Sequence, residues 1–399
     1  MDDRGTDELI SAEAQAALCV PETPAYVYSE AVLRSTASHA SSVASNAGCK
    51  LLYTLKPCGL AGVLDVLSPY VDGFGTSSIF EARLAGGVAS THQSIHCYSP
   101  AFSHDELADV LATADYVSLN SFSQLELAAT LGHGTASIGL RVNPEMGFAA
   151  DERYDPCRPY SKLGVPLSDF LGLIDSSMHA QIVEGIHIHS NCESEDLGQL
   201  EATVEILEGP LSKLEHISWV NLGGGYYLSP EVDVRPLERA TKFLSERFGV
   251  TVFIEPGTGL VQQAGMLITE VLDVFESDGK SVAVIDTTTS HMPEVFEYEF
   301  APSVAGPSEG GRVATILAGR SCLAGDVFGE YSFREPVHVG ERVAIMDAGS
   351  YSQSRAAPFN GIPTPSSYIL RDDGSFELSA SYEYRDFALR NGMAAVASA

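Results

Sequence analysis

The chain has 399 residues, 45% of them hydrophobic, and a mean hydropathy of +0.05, so it is long enough for two globular cores. These values exclude a disordered or fibrous protein. The formal net charge of −30 argues against a nucleic-acid partner, because phosphate backbones bind to basic surfaces. The charge fits either an acidic surface that promotes solubility or a negative field that attracts a cationic small molecule, such as a polyamine.

We expect neither a membrane span nor an export signal in this sequence. No run of about 18 apolar residues is present, so no membrane span is predicted. The acidic start, MDDRGTDELI, lacks the basic and apolar segments of a signal peptide. The seven cysteines form no Cys-x-x-Cys pair, and their odd number in a long chain argues against a disulfide framework. We therefore expect a cytoplasmic protein without a membrane partner.

From residue 25 to about residue 262, short β-rich runs alternate with amphipathic helical segments. The runs are AYVY (25–28), KLLYTLK (50–56), VDGFGTS (71–77), SIHCYS (94–99), YVSLNS (116–121), ASIGLRVN (136–143), IVEGIHIHS (182–190), ISWVNLGGG (217–225) and TVFIEPG (251–257). Alternation of this kind predicts βαβ units and a parallel sheet. About eight units over this length favour an α/β fold with a closed TIM-type (β/α)₈ barrel.

The texture of the sequence changes over residues 263–399. Short β-branched runs such as SVAVIDTTT, RVATILAG and ERVAIMDAG are bounded by glycine, aspartate and proline, and no long helical pattern separates them. This pattern predicts a C-terminal antiparallel β domain, built as a β-sandwich or a β-barrel.

Four unusual features lie where barrel strands are predicted to end, the position at which (β/α)₈ barrels carry their catalytic groups. Lys56, one of only six lysines, closes an apolar strand. A lysine among apolar groups has the lowered pKa that a nucleophilic amine needs, although most lysines are simply solvated. The turn Gly223–Gly224–Gly225 lets backbone amides approach an anion such as a phosphate, or is a plain βα turn.

The other two strand ends carry His189 and Glu255. His189 is suited to stacking on a flat ring, to proton transfer or to metal ligation, and His187 points to the same side of its strand. We predict no metal site, because no carboxylate motif such as His-Glu-x-x-His accompanies the pair. Glu255 can hold a pyridine nitrogen protonated, which makes that ring an electron sink, or it is a loop carboxylate.

Three residues of the predicted β domain also attract attention. Cys322 and Asp326 lie in SCLAGDVFGEY (321–331), and Tyr351 lies in the polar run DAGSYSQS (347–354). Cys322 suits an exposed acid–base group, although a buried structural cysteine is the commoner fate. Tyr351 suits a phosphate contact.

As an ordered set, these motifs resemble the fold-type III pyridoxal 5′-phosphate (PLP) decarboxylases, the alanine racemase-like group of ornithine and diaminopimelate decarboxylases. YTLK resembles the segment of their Schiff-base lysine, GIHIHSN their ring-stacking histidine, NLGGG and EPG their phosphate loop and pyridinium-binding glutamate, and SCLAGD their cysteine segment. The resemblance runs from PAYVY to YEYRDFALRNG. It also implies that residues 1–24 pack with the β domain.

The resemblance assigns roles to these residues. Lys56 would carry PLP as a Schiff base, His189 would stack on the ring, and Glu255 would bind the ring nitrogen. Gly223, Gly224, Gly225 and Tyr351 would hold the phosphate. Cys322 would return a proton to Cα from the partner subunit of a homodimer with shared sites. Asp326, or with less support Glu294, would bind the cationic end of the substrate.

Several segments are similar to the carboxynorspermidine decarboxylase branch in particular: HSNCE, HMPEVFE (291–297), CLAGDVFGEY, the FNG turn (359–361) and YEYRDF. Thr258 follows EPG, where ornithine and diaminopimelate enzymes usually have an arginine. YEFAPSV and SQSRAAP depart from the branch near its substrate-binding positions. The expected substrate is therefore carboxynorspermidine, carboxyspermidine or a related basic or specialised-metabolite amino acid. An amino-acid racemase and a non-catalytic regulatory homologue remain as alternatives.

Overall fold

The structure is a computed structural model that describes residues 11–149, 151–176, 178, 180–214, 216–305 and 311–393. The first ten residues, used above to argue against a signal peptide, lie outside this part of the chain. The chain divides into two compact units. The barrel unit comprises Ser35–Gly59 and Leu67–Leu260, and the β unit comprises the residues up to Arg34, Leu60–Val66 and the residues from Val261 onward.

The barrel unit contains a closed barrel of eight parallel strands, which confirms the predicted fold class. With all strands of the molecule numbered along the chain, the barrel order is β2 (Lys50–Thr54), β3 (Gly73–Thr76), β4 (Ser94–Tyr98), β5 (Tyr116–Leu119), β6 (Ser137–Asn143), β8 (Val183–His187), β9 (Trp219–Asn221) and β10 (Thr251–Ile254). Strand β10 pairs with β2 and so closes the ring. The short strand β7 (Val165–Pro166) pairs with β6 outside the ring.

Helices connect the barrel strands, as the alternating pattern predicts. They are Ile79–Val88, His104–Thr113, Phe122–Leu131, Leu167–Ser176, Gly198–Leu211 and Arg235–Phe248, and Glu30–Ala47 and Ala61–Leu67 lie before β2 and β3. Ser78, Ser103 and Ser121 each cap a helix, because their side-chain oxygens accept a hydrogen bond from a free backbone N–H of the first turn.

A tryptophan fills part of the barrel interior. Trp219 of β9 is 2% exposed, and its indole Nε1 donates to Ser137 Oγ at 2.9 Å. A Cβ atom on Gly185 would lie 1.9 Å from the indole ring, and one on Gly139 would lie 2.3 Å from it. Glycines on two other strands therefore make room for the largest side chain of the core.

The β unit contains a second nine-stranded sheet. Its strands are β1 (Ala25–Ser29), β11 (Gly265–Ser277), β12 (Lys280–Ile285), β13 (Val304–Ala305), β14 (Val313–Ala318), β15 (Val327–Phe333), β16 (Arg342–Ile345), β17 (Ser366–Leu370) and β18 (Phe376–Ala380). The sheet is mixed rather than purely antiparallel, because β1 pairs parallel with β17 and β12 pairs parallel with β14. Short helices of this unit lie at Glu294–Tyr298, Ser352–Arg355 and Tyr384–Arg390, and the short helix Thr258–Val261 spans the boundary between the two units along the chain.

The run AYVY is a strand of this second sheet and not a barrel strand, so placing the barrel boundary at residue 25 was wrong. β1 pairs with β11 and β17, and all five of its residues are buried. A short, wholly apolar run looks the same whether it is central to a barrel or to a mixed sheet, so its pattern could not decide between them. Ala14, Ala17 and Val20 lie in the same core cluster as residues of this sheet.

Within the described residues, the structure has no helix both long and apolar enough to cross a lipid bilayer.

Candidate active site

The three glycines form a tight turn directly after β9. Gly223 and Gly225 have φ angles of +75° and +84°, which favour glycine over any residue with a side chain. A Cβ atom on Gly223 would lie 2.3 Å from the carbonyl oxygen of Ile188, and one on Gly225 would lie 2.3 Å from that of Asn191. The turn therefore packs directly against the segment that follows β8, and its glycines carry no side chain of their own that would keep an anion from the backbone.

Two amides of this turn already have partners in the barrel unit. Gly223 N donates to Asn221 Oδ1 at 2.8 Å, and Gly224 N donates to His189 Nδ1 at 3.2 Å. Because Nδ1 of His189 accepts this bond, a neutral His189 carries its proton on Nε2. The turn thus fixes both the position and the tautomer of the histidine.

Glu255 follows β10, and its side chain is held from two sides. Asn221 Nδ2 donates to Oε2 at 2.9 Å, and His187 Nε2 lies 3.1 Å from Oε1. The backbone is fixed as well, because Glu255 N donates to Gly223 O at 2.9 Å and Thr54 Oγ1 donates to Glu255 O at 3.0 Å. Groups at the ends of β2, β8 and β9 therefore fix Glu255 at the end of β10.

The pKa values of Glu255 and His189 are both lowered, which leaves the carboxylate charged and the imidazole uncharged. Burial alone would raise the pKa of Glu255, but the charge and hydrogen bond of His187, with His189 and Asn221, bring that pKa well below its usual value. Burial, with the positive charges of Arg141 and Lys56, lowers the pKa of His189 well below its usual value. Near neutral pH the site therefore contains an ionised carboxylate and an uncharged imidazole.

Lys56 lies just beyond the end of β2, in the same barrel unit. Its side chain is exposed, so the expected apolar surroundings are not found. Its charge contributes to the lowered pKa of His189 and opposes the rise that burial causes in the pKa of Glu81 and of the Cys192 thiol. The amine is thus accessible to an incoming carbonyl compound and lies within electrostatic reach of His189.

The barrel unit also brings together three candidate metal ligands. One ligand atom each from His187, His189 and Glu255 lies within 4.8 Å of the others, so the carboxylate that the sequence motif lacked is supplied by a distant strand. However, His187 faces Glu255 at hydrogen-bond distance and His189 Nδ1 accepts from Gly224 N. The described geometry therefore uses these groups on one another, and the carboxylate is equally suited to a protonated ring nitrogen.

In the β unit, Cys322 is exposed and its loop is fixed from both ends. Cys322 N donates to Asn360 Oδ1 at 2.8 Å. Asp326 is 3% exposed, and its carboxylate accepts from Thr289 N at 2.7 Å, Thr289 Oγ1 at 3.0 Å and Ser321 N at 3.0 Å. Both oxygens therefore already accept hydrogen bonds from the protein, Oδ1 from Thr289 and Oδ2 from the cysteine loop, and the role of Asp326 in binding a substrate cation stays a prediction.

Glu294 begins a short helix in the β unit and is also buried. Its Oε1 lies 3.4 Å from Nη1 of Arg355, whose Nη2 lies 2.6 Å from Glu297 Oε2. Its Oε2 is buried without a hydrogen-bond partner among the described residues. Burial raises the pKa of Glu294, and Arg355 offsets only part of that rise. Glu294 thus has one buried oxygen available for a donor.

Tyr351 directly precedes the helix Ser352–Arg355 and has a φ angle of +60°. Left-handed backbone is uncommon for a residue with a large side chain and is often found at functional sites. Asp347 and Asn360, with φ angles of +58° and +55°, lie on either side of it in sequence. The backbone of this segment therefore has a specific, partly strained conformation around Tyr351.

A family comparison decides the class of this protein. The model of the family described as "Pyridoxal-dependent decarboxylase, C-terminal sheet domain" matches residues 25–349. The chain belongs to the pyridoxal-dependent decarboxylase family. The family implies PLP as cofactor, and the barrel with its separate mixed sheet is the fold that decarboxylases of this kind share.

Relatives of this decarboxylase cover nearly its whole length. It is 31% identical to carboxynorspermidine/carboxyspermidine decarboxylase from Campylobacter jejuni, over 93% of this chain and 98% of that one. Identity to the protein of the same name from Herminiimonas arsenicoxydans is 32%, over 92% and 98% of the two chains. Identity to carboxyaminopropylagmatine decarboxylase from Synechocystis is 30%, over 93% and 95%.

Solved structures agree with these relatives. Carboxynorspermidine decarboxylase from Campylobacter jejuni, complexed with norspermidine, superposes with a TM-score of 0.83 at 30% identity and covers 93% of this chain and 100% of its own. Diaminopimelate decarboxylase from Helicobacter pylori, complexed with L-lysine, has a TM-score of 0.81 at 18% identity, covering 94% and 98%. The second similarity concerns the fold alone.

The residues of the barrel unit fit PLP. The decarboxylase presents an accessible amine at Lys56, an uncharged imidazole at His189, an ionised carboxylate at Glu255 and a turn of three glycines with left-handed backbone at Gly223 and Gly225. An aldehyde, a flat ring, a ring nitrogen and a phosphate each require one of these groups. The set is chemically complete for this cofactor.

Sequence reasoning missed two buried polar residues of this decarboxylase. Arg141 of β6 is 5% exposed, its guanidinium carbon lies 4.5 Å from the centroid of the Tyr98 ring, and its Nη2 lies 3.5 Å from His189 O. Asn221 of β9 is 2% exposed. The available signal was an arginine and an asparagine inside strands that are otherwise apolar, a position that a polar residue rarely takes without a partner.

Proposed function

We propose that this decarboxylase removes the α-carboxylate of an amino acid with a long cationic tail, using PLP attached at Lys56. The observation that carries the proposal is the buried, ionised carboxylate of Glu255, which is held by Asn221 and His187. A carboxylate in this state holds a proton on a ring nitrogen. The charge of Lys56 lowers the pKa of His189, which lies in the same unit. The reactive amine and the ring-binding groups are therefore proposed to form one site.

When bound, the cofactor supplies the electron sink that accepts the electron pair released as CO₂ departs. The chain's own residues prepare that step. Glu255 keeps the proton on the ring nitrogen, and His189, uncharged, offers its flat face to the ring. The backbone of the glycine turn would hold the phosphate, and Tyr351 stays a predicted phosphate contact. Lys56 would hold the aldehyde end of the cofactor through its ε-amino nitrogen.

Cys322 returns a proton to Cα after CO₂ has left, and it does so from the partner subunit of a homodimer. Support comes from its exposure on its own β unit and from the loop that Asp326 and Asn360 fix around it. A thiol fixed in this way is suited to transfer its proton at a defined point. The active unit is then a symmetric dimer with two shared sites.

Asp326 already accepts hydrogen bonds at both carboxylate oxygens, so Glu294 is the first candidate to bind the cationic end of the substrate. Its buried Oε2 lacks a donor among the described residues, and an ammonium group of the substrate supplies one. The relatives at 30–32% identity are named as decarboxylases of carboxynorspermidine, carboxyspermidine or carboxyaminopropylagmatine. We propose carboxynorspermidine or carboxyspermidine as the substrate, and the net charge of −30 favours the approach of such cations.

The test uses cofactor absorbance and CO₂ release. Wild-type protein should take up PLP and show its visible absorbance band, and Lys56→Ala should lose the band and the activity. Lys50→Ala is the matched control, because Lys50 begins the same strand and pairs with Asp72 at 2.7 Å. A panel of α-amino acids with diamine and polyamine tails then identifies the substrate. A wild type that neither binds PLP nor releases CO₂ from any member contradicts the proposal.

Subunit mixing tests the shared sites. Lys56→Ala and Cys322→Ala homodimers should each be nearly inactive. Their mixture should recover up to about a quarter of wild-type activity, because each mixed dimer regains one intact site. No recovery after verified subunit exchange would place both residues in the site of one chain.

A further inference from the structure

One carboxamide links the glycine turn to the ring-binding carboxylate. Asn221 Oδ1 accepts from Gly223 N at 2.8 Å, while its Nδ2 donates to Glu255 Oε2 at 2.9 Å. The side chain is 2% exposed, so no water competes for either bond. Gly223 O accepts from Glu255 N at 2.9 Å, which joins the same two residues a second time through the backbone.

The two bonds of Asn221 have opposite polarity, so they need a group that carries both a donor and an acceptor, as a carboxamide does at every pH. The Gly223 amide can only donate, so it selects the oxygen of Asn221 and leaves the NH₂ group facing Glu255. A carboxylate at position 221 could serve Gly223 but not an ionised Glu255. An apolar side chain would serve neither and would leave two buried groups without partners.

We propose that Asn221 is a positioning residue that fixes the phosphate-facing turn and the ring-facing carboxylate relative to each other. Asn221 holds Oε2 by a hydrogen bond and His187 Nε2 lies 3.1 Å from Oε1, so both carboxylate oxygens have a neighbour that restrains their rotation. The turn that receives the phosphate is fixed by the same side chain. This inference rests on the proposed function, since it concerns the two ends of bound PLP.

Glu255 has a defined set of titratable neighbours. His187 contacts it directly, and His189, His96 and Tyr98 are within electrostatic reach. Burial lowers the pKa of His96 to about 3, so this histidine is uncharged at neutral pH. Wild-type protein has the same neighbours, so the ratio of the Asn221→Asp Kd to the wild-type Kd isolates a new titration introduced at position 221.

The test is Asn221→Asp, measured as the Kd for PLP of the whole protein from about pH 6 to about pH 9. A protonated aspartic acid reproduces both bonds, because its O–H donates to Glu255 and its carbonyl accepts from Gly223. Once ionised, it cannot donate, and two carboxylates in contact repel each other. We expect a Kd within about threefold of wild type at the acidic end, weakening by about tenfold or more at the alkaline end.

Three comparisons make the result specific. Asn221→Ala should bind PLP more weakly at every pH, without recovery on acidification. Asn120→Asp should show no new pH dependence, because Asn120 bonds Tyr98, Gly164 and Lys162 but not Glu255. In the double variant Asn221→Asp/Glu255→Gln, the amide of Gln at position 255 donates to the carboxylate at position 221, which reverses the direction of the wild-type bond. The pH dependence of its Kd for PLP should therefore return to that of wild type. Melting temperatures of the cofactor-free proteins show that each variant is folded.

A ratio of Asn221→Asp to wild-type Kd that stays constant with pH would overturn the inference, because a purely structural role predicts a uniform loss. Persistence of the pH dependence in the double variant would overturn it too, since the pair could not then be its source. These outcomes differ from failure of the proposed function, in which wild-type protein itself binds no PLP and the inference falls with it.

Discussion

The two units each contain a buried glutamate with a proposed role, and the two are prepared in opposite ways. In the barrel unit, Glu255 receives a hydrogen bond from Asn221 and faces His187 at 3.1 Å, and its pKa is lowered despite burial. In the β unit, Glu294 has Arg355 at 3.4 Å from one oxygen and no partner at the other among the described residues, and burial raises its pKa. Burial alone therefore does not determine the charge of a carboxylate.

The difference separates two tasks. A carboxylate that must keep a proton on a cofactor needs its charge fixed in advance by the protein. A carboxylate that binds an incoming cation can leave one oxygen for the ligand to satisfy, at a cost to the unliganded protein. Glu255 fits the first description, and Glu294 fits the second.

The largest effect is expected at Glu255. Glu255→Gln should lower kcat/KM by about 10²–10³-fold, because a neutral amide cannot hold the ring nitrogen protonated. PLP should still bind, which its visible absorbance will show. Glu184→Gln, at the start of β8, is a matched control that should stay close to wild type. A loss smaller than about tenfold in Glu255→Gln would contradict the role given to this carboxylate.

A smaller effect is expected at Glu294. Glu294→Gln should weaken competitive inhibition by norspermidine by about tenfold, because a hydrogen bond to a charged group is replaced by one to a neutral amide. The control Glu297→Gln removes the charge of the other partner of Arg355. Because both side chains of that pair are exposed, it should change inhibition by less than about twofold. Equal effects of the two variants would show that general negative charge, and not Glu294, attracts the polyamine.

The smallest effects concern stability, and they should have opposite signs. The folded-state pKa of Glu255 is lowered, so its ionised form stabilises the fold above the unfolded pKa of about 4.3, and this stability is lost as the pH falls below that value. The folded-state pKa of Glu294 is raised, so its ionised form destabilises the fold at neutral pH, and the cost disappears on acidification.

Denaturant unfolding of the cofactor-free proteins measures both effects. At neutral pH, Glu255→Gln should be less stable than wild type by about 1–3 kcal/mol, and Glu294→Gln should equal or exceed wild type by up to about 1 kcal/mol. Both differences should shrink in acid. A Glu294→Gln variant that is clearly destabilised at neutral pH would mean that the pair with Arg355 outweighs the cost of burying the charge.

The sequence predicted correctly which residues lie at the ends of the barrel strands. Lys56, His189, Gly223 and Glu255 all follow apolar runs, and parallel strands in a barrel present such ends at one rim. The structure places these residues in one unit, with direct contacts among the last three. Their catalytic roles remain proposals for the experiments above.

The sequence was a poor guide where a partner is distant along the chain. The sequence does not show that Thr289, 37 positions earlier than Asp326, donates two hydrogen bonds to Oδ1 of that residue. Asn221 looked like part of an apolar strand, yet its carboxamide reaches Glu255, 34 positions later. Hydrogen bonds between separate elements leave no periodic trace in sequence, so only the fold reveals which polar groups are already in use.

The indole inside the barrel has a practical consequence. Trp219 is the only tryptophan of the chain and is almost fully enclosed, so intrinsic fluorescence excited at the indole reports on the barrel unit alone. Emission from this single fluorophore follows melting of the barrel, whereas circular dichroism follows both units together. A difference between the two curves would reveal whether the units unfold in one step or in two.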